Sequence, residues 1–422
     1  MNIKELDNQY VMATYGRFPL AIVSGKGSLL YDDEGKEYID MGSGIAVNIF
    51  GAADESWAKA VTDQLMAVQH TSNLYYTAPC AKLAKLLCDK TGMKKVFFGN
   101  SGAEANECMI KAARRWSHEK YGDGRYTIIT LKNSFHGRTI ATLSATGQDK
   151  LHTDFMPFVD GFVYADPAEP GSVKKLAEEN NCCAVMIEVV QGEGGVNTLS
   201  EEFLSEVREV VKEKDLLLLV DEVQTGNGRS GAMYAYMNVG LEPDIISTAK
   251  GLGGGLPIGA TLFNEKTETA LVSGTHGSTF GGNPACAAGA CNVVERIDDE
   301  LLAGVRERSK YIVDQLTGAE GVNSVTGMGL MLGIDTVKPA AEVVAACREK
   351  GVLVLTAKTK VRLLPPLNIP MDQLKKAVEI IKEAIKRKAQ TKQTDSLHCM
   401  KNSLISCLRL KESITSRITL NF

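Results

Sequence analysis

The stretch Pro243-Asp244-Ile245-Ile246-Ser247-Thr248-Ala249-Lys250-Gly251-Leu252-Gly253-Gly254-Gly255-Leu256-Pro257-Ile258-Gly259 decides how this chain reads. One lysine leaves a short apolar run and is followed at once by a glycine-rich turn. Upstream, Leu216-Leu217-Leu218-Leu219-Val220 reads as a buried strand that delivers Asp221-Glu222 at its carboxyl end. A lysine amine and a carboxylate on neighbouring strand ends can hold an aldehyde between them. An Asp–Lys pair also joins strands as a plain salt bridge, so the rest of the chain must decide.

Outward from this stretch, strands and helices alternate. Candidate strands fall at 95–98, 127–131, 184–187, 216–220, 245–247 and 259–263. Amphipathic stretches lie between several of them, such as 103–118 with Ala105, Met109, Ala112 and Trp116 on one side. Short apolar strands separated by helices predict an α/β fold with a mostly parallel sheet covered on both faces. Ligands sit beyond the carboxyl ends of such strands, where Asp221 and Lys250 would be. Residues 1–45 read as an irregular lead-in followed by a hairpin, 29–31 with 37–40, and helices are expected at 56–70 and 78–90. Beyond about 290 a second α/β region follows, with a long helix at 291–317 and strands near Val325 and at 331–334. It continues with a helix at 340–350, strands at 352–355 and 361–364, and a last helix from about 372 to 388. Acid at the start of that helix and Lys386, Arg387 and Lys388 at its end suit the helix dipole. Residues 389–422, Ser/Thr-rich and without periodicity, are expected to form a disordered tail.

Bulk properties narrow the classes. With 422 residues the chain can hold two or three domains, and 44% apolar with 23% charged residues is ordinary for a globular protein. A net charge of −4 gives no reason to expect nucleic acid or an anionic membrane as partner. Ten cysteines are scattered without C-x-x-C or zinc-like spacing, so no metal is expected and reduced thiols are. No apolar signal core follows Met1, and no run approaches a membrane span, which makes the cytoplasm the expected location.

Three further stretches carry chemistry. In Asn100-Ser101-Gly102-Ala103-Glu104-Ala105-Asn106-Glu107, Ser101 and Glu104 form an S-x-x-E capping box. Free N–H groups at Gly102 and Ala103 could equally hold a phosphate. In Ser134-Phe135-His136-Gly137-Arg138-Thr139, an aromatic and an arginine at a strand end could stack on a ring and grip a carboxylate, or the arginine could be a solvated charge. His136, lacking a spaced partner, reads as a hydrogen-bonded structural residue. Glu188 and Glu193 flank Gln191-Gly192; they could do acid–base work, pair with an arginine, or sit exposed in a turn. Asn100–Glu107, where a strand opens a helix, is not the dinucleotide G-x-G-x-x-G, which disfavours a nicotinamide dehydrogenase, and no P-loop occurs anywhere in the chain.

Taken together these stretches, with Asp221-Glu222-Val223-Gln224-Thr225-Gly226 and Gly277-Ser278-Thr279-Phe280-Gly281-Gly282-Asn283-Pro284, resemble the class III pyridoxal-phosphate-dependent aminotransferases over roughly residues 10–388. Gly44-Ile45-Ala46-Val47-Asn48 and His276-Gly277-Ser278-Thr279 look most like the acetylornithine branch. The resemblance implies fold type I, a large domain (46–290) with a mostly parallel seven-stranded sheet, and a smaller α/β domain from 1–45 and 291–388. It makes Lys250 the Schiff-base lysine of pyridoxal 5'-phosphate and Asp221 the partner of the pyridine nitrogen. Ser101, Gly102 and Ala103 would bind the phosphate, Phe135 and Val223 would pack the ring faces, and Gln224 would reach the ring hydroxyl. Thr279 would bind phosphate in the neighbouring subunit, implying a homodimer with shared sites, and Ser278 would lie beside substrate. Arg138 would hold a substrate carboxylate and Arg362 the α-carboxylate of the 2-oxo acid, while Glu193 would mask Arg362 as the ω-amine reacts. The reaction implied moves the ω-amino group of N2-acetylornithine to 2-oxoglutarate. Donors such as ornithine, succinylornithine or 4-aminobutyrate, an aminomutase, and a non-catalytic cofactor-binding protein are the rival readings. Two departures stand out: Gly51-Ala52-Ala53-Asp54-Glu55 where relatives commonly have Gly-His-x-His-Pro, and Val189 where a proline is common.

Overall fold

The structure, a computed structural model, describes residues 2–386. The expected tail at 389–422 lies outside the described residues, as do Arg387 and Lys388.

A seven-stranded sheet organises the fold. From edge to edge its strands are Lys95–Gly99, Gly259–Phe263, Ile245–Thr248, Leu217–Asp221, Cys182–Ile187, Thr127–Leu131 and Phe162–Ala165. Only Gly259–Phe263 runs antiparallel to its neighbours, so the sheet is mostly parallel, as expected. Every residue of Leu217–Asp221 is buried, because alternate side chains enter different cores. Leu217 and Leu219 pack with Met109, Ala112 and Trp116 of the helix Gly102–Tyr121. Leu218 and Val220 pack into a core shared with Val207 and Val210 of the helix Glu201–Glu213. This is why the strand reads as an unbroken apolar run rather than an alternating one.

Two four-stranded sheets accompany it, besides the two-stranded pairing of Val190–Gln191 with Asn197–Thr198. One joins Ile22–Lys26, Leu29–Asp32, Glu37–Asp40 and Val352–Leu353; the other joins Val322–Met328, Met331–Thr336, Lys360–Leu363 and Leu355–Ala357. The expected hairpin is present, with Leu29 opposite Ile39.

Several expectations need correcting. The lead-in is not wholly irregular: Ile3–Tyr10 is a helix, started by a reciprocal Asn2–Glu5 capping box. The supposed long helix at 291–317 is two helices, Pro284–Glu295 and Asp299–Leu316. The break comes at Asp298, whose carboxylate accepts from Leu301 N at 2.8 Å and caps the second helix. The single strand expected at 352–355 is also two. Val352–Leu353 pairs with Glu37–Asp40 in one sheet, and Leu355–Ala357 with Lys360–Leu363 in the other. The edge strand Phe162–Ala165 was not foreseen. The last helix spans Met371–Ile385.

The segment Gly51–Glu55 forms a sound helix start. Asp54 caps the helix Glu55–Ala67 by accepting from Trp57 N at 2.9 Å and takes both terminal nitrogens of Arg296 at 2.7 and 3.0 Å. Asp54 thus does the capping that the sequence puts in place of the more common His-Pro. Among the described residues no helix is long and apolar enough to cross a membrane, and the eight cysteines are free thiols.

Candidate active site

Strands Leu217–Asp221 and Ile245–Thr248 run parallel with Asp221 opposite Ser247, so both chains leave the sheet at one level. Lys250 lies two residues beyond the strand's last residue, Thr248, at φ 45. Such left-handed backbone costs a non-glycine residue about 1–2 kcal/mol and persists only where its surroundings fix it. On its upstream side Asn227 Nδ2 holds Thr248 Oγ1 at 2.9 Å and Ala249 O at 3.2 Å. Downstream, a Cβ on Gly251 would lie 2.5 Å from Ile49 Cδ1, so the first glycine of the turn is there for close packing.

The Lys250 amine is less basic than a free lysine. Burial depresses its pKa, and the opposing charges of Glu193 and Asp221 do not restore it. An amine so depressed serves as nucleophile and base rather than only as a cation.

Asp221 is buried and held by three donors. Its Oδ2 accepts from Asn106 Nδ2 and His136 Nδ1, each at 2.8 Å, and its Oδ1 accepts from Val223 N at 3.0 Å. An ionised carboxylate only accepts, so His136 carries its proton on Nδ1. His136 is hydrogen-bonded, as expected, but to the central carboxylate. Asn106, which also donates to His136 O at 2.7 Å, went unnoticed in the sequence. It lies within Asn100–Glu107, six positions beyond Asn100, on the helix face turned to the strand end.

The helix Gly102–Tyr121 begins beside this group. Ser101 accepts from Glu104 N at 3.1 Å, but the capping box is only half formed. Glu104 Oε2 instead takes Asn100 N at 2.7 Å and Asn100 Nδ2 at 2.8 Å. Among the described residues no group accepts from the N–H of Gly102 or Ala103. A Cβ on Gly102 would lie 2.6 Å from Val223 Cγ1, so this helix start must be glycine to pack. Two free N–H groups at the positive end of a long helix make an anion cradle.

Glu188 is buried and not an exposed turn residue. Its Oε2 accepts from Phe135 N at 2.9 Å. Burial first, then the charge of Asp221, pushes its pKa well above the usual carboxyl range. Glu193 pairs with an arginine: Arg362 Nη1 donates to its Oε1 at 2.6 Å, with Arg362 almost wholly buried. Burial alone would raise Glu193, yet the adjacent Arg362 guanidinium overrides it and leaves the carboxyl below its usual range. Gln224 bridges this pair, accepting from Arg362 and donating to Glu193, each at 3.3 Å. Arg138 is exposed and lies 5.7 Å from the centre of the Phe135 ring.

Lys250, Asp221, Glu188, Glu193, Gln224 and Arg362 are thus brought together. Ser278 and Thr279 sit apart, lining a cavity of about 860 Å³ with Asn73, Tyr75 and Tyr76. Ser278 Oγ still accepts from Asn100 Nδ2 at 3.1 Å, which ties its loop to the helix start. Thr279 is exposed.

Glu222 turns away from this group into the core. Its carboxyl accepts from Thr225 Oγ1 at 2.5 Å and Tyr236 N at 2.8 Å, and burial raises its pKa to about 7. A folded value above the unfolded one means that this group's contribution to stability is present below the unfolded value and is lost as pH rises through about 7. Glu222→Gln is therefore expected to flatten the fall in Tm between pH 5 and pH 8; an undiminished fall in thermal scans would contradict this.

Residues 10–385 match the family profile described as aminotransferase class-III. The chain is 48% identical over 385 residues to the acetylornithine aminotransferase of Haemophilus ducreyi, covering 91% of this chain and 98% of that one. It is 44% identical over 378 residues to the acetylornithine aminotransferase of Bacillus subtilis, covering 88% and 96%. Among solved structures, N-acetylornithine aminotransferase from Stenotrophomonas maltophilia superposes with a TM-score of 0.78 at 32% identity, covering 90% and 98%. Ornithine aminotransferase from Toxoplasma gondii gives 0.87 at 29% identity, covering 90% and 94%. Profile and relatives together show that the chain belongs to the class III aminotransferases.

Proposed function

We propose that this aminotransferase moves the ω-amino group of N2-acetylornithine to 2-oxoglutarate, giving N-acetylglutamate 5-semialdehyde and glutamate, with pyridoxal 5'-phosphate as cofactor. The observation that carries the reading is the closed Glu193–Arg362 pair at 2.6 Å beside the Lys250 amine. An enzyme that takes an ω-amine in one half-reaction and an α-amino acid in the other needs its carboxylate-binding arginine masked in the first and free in the second. The names of relatives at 48% and 44% identity point to the same donor.

The residues present suit the cofactor. The N–H groups of Gly102 and Ala103, with Ser101, would take the phosphate; Phe135 and Val223 would flank the ring. Asp221 would face the ring nitrogen, and Lys250 would hold the aldehyde. Gln224, expected at the ring hydroxyl, is engaged with Glu193 and Arg362 here. When bound, pyridoxal phosphate supplies a carbonyl to receive the amino group and a ring to hold the electrons freed at the amine-bearing carbon. Lys250 Nζ takes the proton from that carbon, and its depressed pKa keeps it ready to do so. Arg138, exposed at the rim, would take the donor's α-carboxylate, and Arg362, once released by Glu193, that of 2-oxoglutarate. Ser278 would border the substrate.

The exposed Thr279, together with exposed Leu74, Tyr76 and Phe280, supports a homodimer in which Thr279 reaches the partner's phosphate site. The division into a large domain (46–290) and a small one built from both chain ends is supported by the pairing of Glu37–Asp40 with Val352–Leu353. A cytoplasmic location accords with the free thiols.

A donor panel tests the reading. With 2-oxoglutarate as acceptor, kcat/KM is expected to be highest for acetylornithine among acetylornithine, ornithine, succinylornithine and 4-aminobutyrate. A clear preference for ornithine would move the chain to the ornithine branch. Glu193→Gln is expected to cut kcat/KM for acetylornithine by about tenfold, the worth of one charge-assisted hydrogen bond, and to leave the glutamate half-reaction within about twofold. Equal losses in both half-reactions would remove the gating role. Because Glu193 lies below its ordinary range, the pair is intact above the ordinary value and opens only as pH falls through the lower folded one.

A further inference from the structure

The glycine run after Lys250 has almost no side chains of its own to hold it, and the helix Glu55–Ala67 supplies one. Trp57 Nε1 donates to Gly253 O at 3.1 Å, the carbonyl that also accepts from Leu256 N at 3.2 Å. The indole packs against the run as well. A Cβ on Gly254 would lie 2.8 Å from Trp57 Nε1, and one on Gly289 of the neighbouring helix 2.9 Å from the same atom. Trp57 is itself anchored. Its backbone N–H donates to Asp54, Asp54 is held by Arg296, and the Arg296 guanidinium lies 3.7 Å from the centre of the Phe50 ring. A cavity of about 240 Å³, lined by Asn48, Ala52, Trp57, Gly254 and Gly255 among others, borders the run. Packing is therefore incomplete there, and the indole hydrogen bond carries the restraint. Glycine has the largest backbone freedom to lose, so three in succession need an external grip. Lys250, in its left-handed conformation, sits between two such grips: Asn227 on Ala249 O, and Trp57 on Gly253 O.

We propose that Trp57 is a positioning residue for Lys250. By fixing the Gly253 carbonyl it sets where the Lys250 amine meets the reacting carbon, acting through the turn. This rests on the assignment of Lys250 above.

Trp57→Phe removes the N–H donor and keeps a ring; Val61→Ala removes packing from the same helix without touching a donor, since Val61 also borders Gly289. Both are prepared as full-length protein loaded with pyridoxal phosphate. Visible absorbance is followed against pH, Tm is measured, and kcat and KM are measured for acetylornithine and 2-oxoglutarate. For Trp57→Phe, kcat is expected to fall about three- to tenfold, the factor one net hydrogen bond supplies, with both KM values within about twofold. The pH midpoint of the visible absorbance should also shift. Val61→Ala should lower Tm and leave that midpoint in place. The proposal is overturned if Trp57→Phe keeps the wild-type midpoint and kcat. It is equally overturned if Val61→Ala moves them as far at a matched loss of Tm. Failure of the underlying assignment reads differently: wild-type protein would then show no visible absorbance dependent on Lys250, and both proposals would go together.

Discussion

A Lys250→Ala protein is expected to lose transamination by at least about 10⁴-fold, the upper end of what a positioned acid–base group contributes. The visible absorbance of bound pyridoxal phosphate should change with it. The reason is positional as much as chemical. No second amine is placed to substitute: among the described residues whose charge acts on Lys250, the other cation is Arg362, a guanidinium held by Glu193. Folding should survive, because Lys250 donates no hydrogen bond to the rest of the described structure, and alanine bears the same left-handed backbone cost there as lysine does. Thermal unfolding within a few degrees of wild type, together with lost turnover, is the outcome expected. Turnover retained within tenfold would sink the assignment.

Asp221→Asn should be the next most damaging change, at about 10²–10³-fold in kcat, the range for losing one preorganised electrostatic group. Asparagine keeps the shape but loses the charge, and it brings an NH₂ group where three donors converge. Asn106 Nδ2, His136 Nδ1 and Val223 N all point at this carboxylate. One oxygen can no longer accept, so a buried donor is left without a partner at about 1–3 kcal/mol. The variant should therefore be both slower and less stable, with KM little changed. A variant within tenfold of wild-type kcat would show that the charge of Asp221 is not used in the reaction.

Much of this could be read in advance where physics makes sequence local. Leu217–Asp221 lies between two cores, so its apolar run announces a buried strand and its last residue announces a site. Phe162–Ala165, at the sheet edge and only partly buried, gives no such run and was not foreseen. The helices Pro284–Glu295 and Asp299–Leu316 merge in a pattern reading because apolar positions run through both, the first being buried on nearly every side; the cap at Asp298 marks where the second begins. Within the site, Lys250, Asp221, Glu193 and Arg362 were legible as residues. The partners that orient Asp221 were not: Asn106 reaches it across 115 positions and His136 across 85. No periodicity encodes contacts at that distance. The capping box shows the opposite error, since a correct local motif is half dismantled by Asn100, whose amide and backbone both claim Glu104.

The parallel pairing of Ile39 with Val352 has a consequence for synthesis. At the ribosome's usual pace of about 5–20 residues per second, the strand Glu37–Asp40 emerges some 15–60 s before its partner. Throughout that interval the hairpin Leu29–Asp32 with Glu37–Asp40 presents an open strand edge, and the edge stays open after Gly259–Phe263, the last strand of the central sheet, has been made. An open edge is a template for pairing with other nascent chains. The vulnerable period is thus set by the chain's order rather than by its final stability. Overexpression, which crowds nascent chains together, should expose it more than heating the finished protein does.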